Sequence, residues 1–495
     1  MTIRLDNPEQ AASWLRARVT GSLWTDSRKV RAGDGFIAWP GAATDARRFV
    51  SGVLAAGAEA CLVEETGMAE YKFIDSRIAA YHNLKGAAAP IAAAYFEEPS
   101  KQLQVVAVTG TNGKTSTSWW LAQALGKLGH KCGVIGTLGI GLPEAMVFNG
   151  LTTPDPVLLQ HQLRYFVDQG FFACALEASS IGIAEQRLDA THIKVGIFTN
   201  FTQDHLDYHG TMQDYWTAKQ ALFGWDGLEA AVLNADDLKV ASLGPLLENA
   251  GLNVWTVSLG GSARLQAHSI EQGAQVTSFD VVEGNERQRV TVSTVGLYNV
   301  SNLLGVVAAM RALGISLADA AQACCGLPSV PGRLDTVTLD GQPLVVIDYA
   351  HTPDALEKVL AALKPLARSR SGQLWCVFGC GGDRDASKRP LMAAAVQKNA
   401  DQLMVTSDNP RTESAAAIIG QVLLGLTRSE SVHVEADRAL AIAQALALAQ
   451  SGDVVLLAGK GHEDYQEVQG VRHPFSDRSH AQQALMARTA GGRLP

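Results

Sequence analysis

The sequence predicts an α/β protein of three domains built on mostly parallel sheets, and three observations predict it. First, the chain has 495 residues, more than one hydrophobic core can serve. Second, short apolar runs of strand length recur, each closing in polar residues before a helical pattern begins. They are VVAVTG, FACALEASS, VGIFTNFTQDH, LVVIDYAHTPD, LWCVFGCGGDRD, LMVTSDNPRT and VVLLAGKGHED. Continuous rather than alternating apolar runs mark strands buried on both faces, as in parallel sheets. Third, the rhythm breaks at FEEPSKQLQ (Phe96 to Gln104) and at CCGLPSVPGRLDTV (Cys324 to Val337), where proline and glycine punctuate the chain. The expected domains are therefore 1–98, 99–333 and 334–495.

Composition narrows the class. With 47% apolar and 18% charged residues and 47 glycines, the chain reads as an ordinary globular enzyme with many strand-to-helix loops. A net charge of −8 argues against a nucleic-acid binder, which would carry a basic face. It does not forbid anionic ligands, which a few local cations and backbone N–H groups can hold. The seven cysteines, at 61, 132, 174, 324, 325, 376 and 380, show no zinc-type spacing. Cys376 and Cys380 are expected to be buried thiols in a reducing cytosol. The opening MTIRLDNPEQ has no apolar leader core, and no apolar run reaches 18 residues. The chain is expected to be neither secreted nor membrane-spanning.

In open α/β sheets ligands bind outside the carboxyl ends of the strands. Every polar cluster above falls at such an end, so two facing sites, one per sheet, are expected. The best defined is TGTNGKT, Thr109 to Thr115. Gly110 and Gly113 let the backbone curl its N–H groups inward, Lys114 brings a charge to terminal phosphates, and the Thr115 hydroxyl can ligate Mg²⁺. The commonest spacing would need glycine where Val108 stands, so this loop is a shorter form. Glu177, ending the next strand, is a second oxygen ligand suited to Mg²⁺.

Other residues stay open at this level. His205 and His209 suggest zinc but have no cysteine nearby, and each alone reads as a capping or core group. Lys219 sits in YWTAKQALF with Tyr215, Trp216 and Phe223 three or four residues away. It is either a snorkelling lysine or one whose burial lowers its pKa and leaves a modifiable amine. Asn299 and Asn302 read as turn or cap residues. Asp408-Asn409-Pro410-Arg411 reads as a turn that ends a strand and starts a helix.

Together these motifs resemble the Mur ligases, ATP-dependent amide-forming enzymes of peptidoglycan synthesis. The matching segments are TGTNGKTS, EASS, TNFTQDHLDYHG, TAKQALF, YNVSN, PGRLD, DYAHTPDALEK, FGCGGDRD, DNPR and AGKGHEDYQ, in order from about residue 20 to 480. The resemblance implies a central P-loop-type, mostly parallel domain flanked by an N-terminal α/β domain and a Rossmann-like C-terminal α/β domain. It implies that ATP phosphorylates a carboxylate and that an incoming amine displaces the phosphate. On that pattern Gly110, Thr111, Asn112, Gly113, Lys114, Thr115, Ser116, Asn299, Asn302, Arg333, Asp348 and His351 would hold ATP. Lys114, Glu177, His205 and Lys219 would be catalytic. Thr115, Glu177, His205 and Lys219, the last as a carbamate, would ligate two Mg²⁺.

Within the family the resemblance is greatest to the branch that adds the third residue. It implies that Ser27, Thr152, Thr153, Ser179, Glu185 and Arg187 contact UDP-N-acetylmuramoyl-L-alanyl-D-glutamate. Arg384, Asp408, Asn409, Pro410, Arg411, Gly459 and Glu463 would read meso-diaminopimelate. Leu151, Ile181 and Glu185 depart from the family pattern, in which asparagine, histidine and glutamine are usual. The expected partners are small-molecule substrates, with no nucleic acid and no membrane insertion, and the chain is expected to act as a cytoplasmic monomer.

Four alternatives are weaker. A lysine-adding relative differs at DNPR, and folylpolyglutamate synthase lacks DNPR and GKGHEDYQ in this form. A non-catalytic nucleotide scaffold would have lost Glu177, His205 or Lys219. FGCGGDRD lacks the G-x-G-x-x-G spacing of a dinucleotide-binding dehydrogenase.

Overall fold

A computed structural model describes residues 2–489 apart from 42, 43, 274, 275, 428 and 429. Three sheets follow one another along the chain, with a small two-stranded ribbon near its end.

The first sheet has five strands, all parallel, between Ile3–Leu5 and Ile78–Tyr81. Helices Pro8–Arg16 and Leu84–Tyr95 pack on one face, and residues around Val50 and Leu54 on the other. The second sheet starts at Gln104–Thr109 and has eleven strands. Its centre is parallel, as the continuous apolar runs require. Alternate residues of Gln104–Thr109 enter opposite cores, Val105 and Ala107 one, Val106 and Val108 the other.

Both edges of this sheet depart from the expected rhythm. Leu265–Gln272, Thr277–Glu283 and Glu286–Val292 form an antiparallel meander at one edge, and Gly139–Leu142 with Ala145–Val147 folds back at the other. In Thr277–Glu283, residues 277, 279 and 281 are buried and those between are partly exposed. That alternation is the period-two signature of a sheet covered on one face only. The third sheet has six strands, five of them mutually parallel, with Asp335–Val337 antiparallel at the edge.

The first sheet docks on the second through helix Pro156–Asp168, whose Val157 joins the first domain's apolar cluster. Lys85 crosses to Glu185 at 2.7 Å. The third sheet meets the second at strand ends. Lys388 reaches Asp204 at 2.9 Å, and Asn112 donates to Asp354 at 3.1 Å. The carboxyl ends of the two larger sheets thus line one continuous cavity of about 1150 Å³. Two facing sites, one per sheet, were expected from the sequence, and the loops that end both sets of strands close on the same space.

Six of the seven cysteines are buried, Cys376 and Cys380 among them, and none is in a disulfide. No described helix is long and apolar enough to cross a membrane.

Candidate active site

The loop after Gln104–Thr109 curls because Gly110 and Gly113 take φ of +137° and +88°. A side chain is excluded there by space as well as by φ: a Cβ on Gly110 would overlap the Thr199 hydroxyl, and one on Gly113 the Asn302 amide. The loop is tied to the next strand end. Asn112 N donates to Asn200 Oδ1 at 2.9 Å, and the Asn112 carbonyl accepts from Thr199 Oγ1 at 2.6 Å and Asn200 Nδ2 at 3.0 Å. Lys114, first residue of helix Lys114–Lys127, folds back and donates to the Gly110 and Thr111 carbonyls at 2.8 and 2.9 Å. The result is a ring of backbone N–H groups and an ammonium at a helix N-terminus, the physical requirement for holding phosphate.

Glu177 is buried beside this helix. Its carboxylate accepts from Thr115 Oγ1 at 3.0 Å, Thr137 N at 2.8 Å and Thr137 Oγ1 at 3.1 Å. Arg333, from the segment joining the second and third sheets, donates to Thr115 Oγ1 at 3.2 Å and stacks on Tyr349 at 4.4 Å. Lys219 is 1% exposed, donates to the Gly110 carbonyl at 2.7 Å and lies 4.6 Å above the Tyr215 ring. Burial, with Lys114 adding repulsion, pushes its ammonium pKa far down; the Asp204 charge opposes this and loses. Of the two readings open from sequence, the buried one holds.

His205 adopts a left-handed φ of +54°. Such a conformation costs about 1–3 kcal/mol and persists only where its surroundings dictate it. Its neighbour Asp204 supplies part of that. The Asp204 carboxylate lies 3.4 Å from His205 Nε2, 3.8 Å from His351 Nε2 and 2.9 Å from Lys388 Nζ. Burial alone would raise the Asp204 carboxyl, but His205, Lys388 and His351 hold it well below the carboxylate range. Burial drives His205 down to about 3 against the pull of Asp204. A neutral imidazole is what metal ligation needs.

The cavity is bordered by all but four of the residues to which the family resemblance gives a role. Gly110 turns its carbonyl to Lys114 and Lys219. Pro410 gives its carbonyl to Glu413 N. Ser27 lies in the turn after Leu23–Trp24, where its neighbour Thr25 bonds the Asp155 carboxylate. Glu185 is occupied elsewhere, one oxygen on Lys85 Nζ at 2.7 Å and the other on Tyr208 OH at 2.5 Å. Thr152 and Thr153 do line the cavity, with Thr153 Oγ1 donating to the Glu177 carbonyl at 2.7 Å and Arg187 to the Thr153 carbonyl at 2.9 Å. Asn299 is in the first turn of Leu297–Ala312 and donates to Thr294 Oγ1 and the Val295 carbonyl, tying the helix start to the segment before it rather than capping it.

The third sheet supplies the other wall. Arg411 also has a left-handed φ, +52°, imposed by zipping onto the ribbon Tyr465–Val468. Its N–H donates to the Glu467 carbonyl at 3.0 Å, and its carbonyl accepts from Gln469 N at 2.6 Å. Its guanidinium donates to the Gly382 carbonyl at 2.7 Å. Arg384 is exposed at the same cavity wall. Asp408 and Asn409 are buried, and Glu463 accepts from Asn409 Nδ2 at 2.9 Å. Two guanidiniums and two carboxylates thus converge, a donor set for a ligand carrying both charges.

Sequence reasoning did not single out Thr137, Asp204, Lys388 or Lys460. Asp204 and Lys460 stand inside quoted motifs, where spacing alone does not separate them from their neighbours.

A P-loop sheet and a Rossmann-like sheet closing on one cavity lined by side chains of both charges define a multidomain nucleotide-dependent enzyme. The family model for the Mur ligase middle domain matches residues 108–310, and that for the Mur ligase, glutamate ligase domain matches 332–461. A relative from Acidovorax sp. (strain JS42), named UDP-N-acetylmuramoyl-L-alanyl-D-glutamate--2,6-diaminopimelate ligase, is 57% identical over 97% of each chain. A solved structure with the same name is 35% identical, covers 94% of this chain and 95% of its own, and has a TM-score of 0.64. The fold is also that of a MurF ligase from Thermotoga maritima in complex with ADP, at TM-score 0.67 and 19% identity over 95% of this chain and 98% of that one. The chain belongs to the Mur ligase family.

Proposed function

We propose that this protein joins meso-diaminopimelate to the D-Glu carboxylate of UDP-N-acetylmuramoyl-L-alanyl-D-glutamate in peptidoglycan precursor synthesis, using ATP. The observation that carries the reading is the shared cavity. It holds a phosphate loop on one wall and the Asp408–Arg411 segment, with Arg384 and Glu463, on the other.

In this reading a carboxylate oxygen of the substrate attacks the γ-phosphorus and ADP leaves. The amine of diaminopimelate, having lost a proton, then attacks the acyl carbon, and inorganic phosphate leaves. Lys114 and Arg333 offset negative charge around the transferring group, and the N–H groups of residues 113–115 orient it. Asn299, Asn302, Asp348 and His351 surround the remainder of ATP. Ser27, Thr152, Thr153, Ser179 and Arg187 serve the nucleotide-linked dipeptide, and Glu185 braces the two domains that bind it. The closed contacts Lys388–Asp204 and Asn112–Asp354 help exclude water from a hydrolysable intermediate.

The donor set fits Mg²⁺: the Thr115 hydroxyl and Glu177 carboxylate are hydrogen-bonded at 3.0 Å, His205 is neutral, and oxygen ligands with retained waters are what Mg²⁺ takes. Among the described residues no three His, Cys, Asp or Glu side chains form a metal site; the fit needs Lys219 converted to a carbamate, for which its neutral amine is suited. When bound, Mg²⁺ would offset the charge of the phosphoryl oxygens. The protein acts in the cytoplasm as a monomer.

The test is phosphate release with ATP, Mg²⁺ and the UDP-dipeptide, adding diaminopimelate or lysine separately. Release is expected with diaminopimelate only. Release with lysine alone removes the specificity, and release with neither removes the ligase. Arg411→Ala is expected to raise KM for diaminopimelate roughly 10–100-fold, the worth of charge-assisted hydrogen bonds. KM for ATP should change less than about twofold, since Arg411 lies on the opposite wall; equal effects on both would contradict the assignment.

A further inference from the structure

One buried charge beside the Asp408–Arg411 segment is not used by the proposed reaction. Lys460 is fully buried, and a lone buried ammonium is costly unless paired and hydrogen-bonded. Its Nζ lies 3.0 Å from Asn409 Oδ1, 3.0 Å from Glu463 Oε2 and 3.5 Å from Asp408 Oδ1. The Tyr465 ring stands 5.6 Å away. Asn409 is fixed at both ends of its amide: Oδ1 accepts from Lys460 and from Glu467 N at 3.0 Å, and Nδ2 donates to Glu463. Asp408, Asn409 and Glu463 all border the cavity, whereas Lys460 lies behind them. One oxygen of Asp408, Oδ1, has no hydrogen-bond partner although the residue is only 7% exposed.

Charge explains why a cation belongs behind this wall. Burial raises the Glu463 carboxyl, the Asp408 charge raises it further, and Lys460 opposes both. Lys460 Nζ stands within ion-pair distance of both Glu463 and Asp408, so one cation is shared by two carboxyl groups. A ligand ammonium on the cavity side completes the pairing.

We propose that Lys460 is the positioning residue that sets the amino-acid specificity of this site. It holds the Asp408 and Glu463 carboxyl groups and the Asn409 amide in register, so that the pocket demands an ammonium beside the carboxylate gripped by Arg411. Lys460 acts through Glu463 and Asn409 and touches no substrate. The inference rests on the reading of this wall as the diaminopimelate site, so wild-type turnover with diaminopimelate is the control. If that control fails, the reading of the wall fails first, and the variants below are not the cause.

The experiment measures steady-state phosphate release for wild type, Lys460→Met, Lys460→Gln, Glu463→Gln and the double variant Lys460→Met/Glu463→Gln, with circular-dichroism melts for each. Lys460→Met is expected to raise KM for diaminopimelate by roughly tenfold or more, the scale of a lost charge-assisted hydrogen-bond set. KM for ATP and kcat at saturating diaminopimelate should stay within about threefold, as for a distant independent site. In the Glu463→Gln background the same substitution should add less than about threefold, because residues in one network are not additive. Lys460→Gln, which retains a donor for Asn409 but no charge, should behave like Lys460→Met and carries the test if the latter does not fold. Unchanged KM for diaminopimelate, equal rises in every KM, or additive effects in the double variant would overturn the proposal. So would failure of both Lys460 variants to fold, which would make the lysine structural only.

Discussion

Lys219→Arg should lose nearly all activity, with kcat falling roughly 10²–10³-fold, the scale set by removing one transition-state electrostatic group. The substitution separates two roles for the residue. If Lys219 serves as a cation for phosphate, arginine supplies a charge that is never lost, and much of the rate should survive. If it serves as a carbamate, arginine cannot form one. The structure favours the second role on energetic grounds. The side chain is buried to 1% exposure, donates to one carbonyl and, among the described residues, has no carboxylate at ion-pair distance, while Lys114 crowds it. A permanent cation there is poorly compensated. A neutral amine can add carbon dioxide, releasing a proton and leaving an anionic oxygen donor.

The same argument predicts that wild type stripped of bicarbonate loses rate and regains it on adding bicarbonate. Lys219→Arg should not respond. An arginine variant within threefold of wild type, or a wild type indifferent to bicarbonate, would end the carbamate reading. A melt is needed alongside, because arginine adds bulk to a packed site.

What made most of the site legible in sequence was position rather than residue type. Each polar cluster follows an apolar run, and a parallel strand buried on both faces delivers such a cluster to one edge of its sheet. That is why the clusters carrying Lys114, Glu177, Asp348 and Arg411 could be placed at strand ends before any coordinates, although the roles of Asp348 and Arg411 came only from the family resemblance. Lys388 was not legible in the same way. It is the first residue of helix Lys388–Asn399, outside every polar cluster that ends a strand, and its partner Asp204 is 184 residues away. Their contact depends on how two domains close, which no local pattern encodes. Glu185 shows the opposite error. The family pattern offered it to the substrate, but its carboxylate is occupied by Lys85 and Tyr208, and no motif around Glu185 signals Lys85, 100 residues earlier. The meander from Leu265 to Val292 was readable in principle, since its burial alternates with period two, but the surrounding parallel rhythm masked it.

Arg438→Met should destabilise the C-terminal domain by about 3–5 kcal/mol, the usual result of removing one partner from a buried ion pair. Arg438 and Asp477 are fully buried, with Nη2 to Oδ2 at 2.7 Å and Nε to Oδ1 at 2.8 Å, a bidentate fork. The remaining donors bind the Ser407 carbonyl at 3.4 Å and the Ala458 carbonyl at 3.0 Å. Those carbonyls immediately precede Asp408 and Gly459. One guanidinium therefore fixes the exits of the two strands that flank Leu374–Phe378, Gln402–Val405 and Val454–Ala458, and anchors the last helix, Asp477–Thr489. Methionine approximates the aliphatic volume but leaves the Asp477 carboxylate buried without a partner. Urea unfolding followed through Trp375, which lies in this domain's core, would read the loss. Arg438→Met/Asp477→Leu should recover part of it, because a buried pair replaced by apolar groups is often close to neutral. KM for diaminopimelate should rise in the single variant even at temperatures where it is folded, since the strand exits that carry Asp408 and Gly459 are no longer held. A single variant that loses less than about 1 kcal/mol would show that the pair is dispensable, an outcome the desolvation argument does not permit.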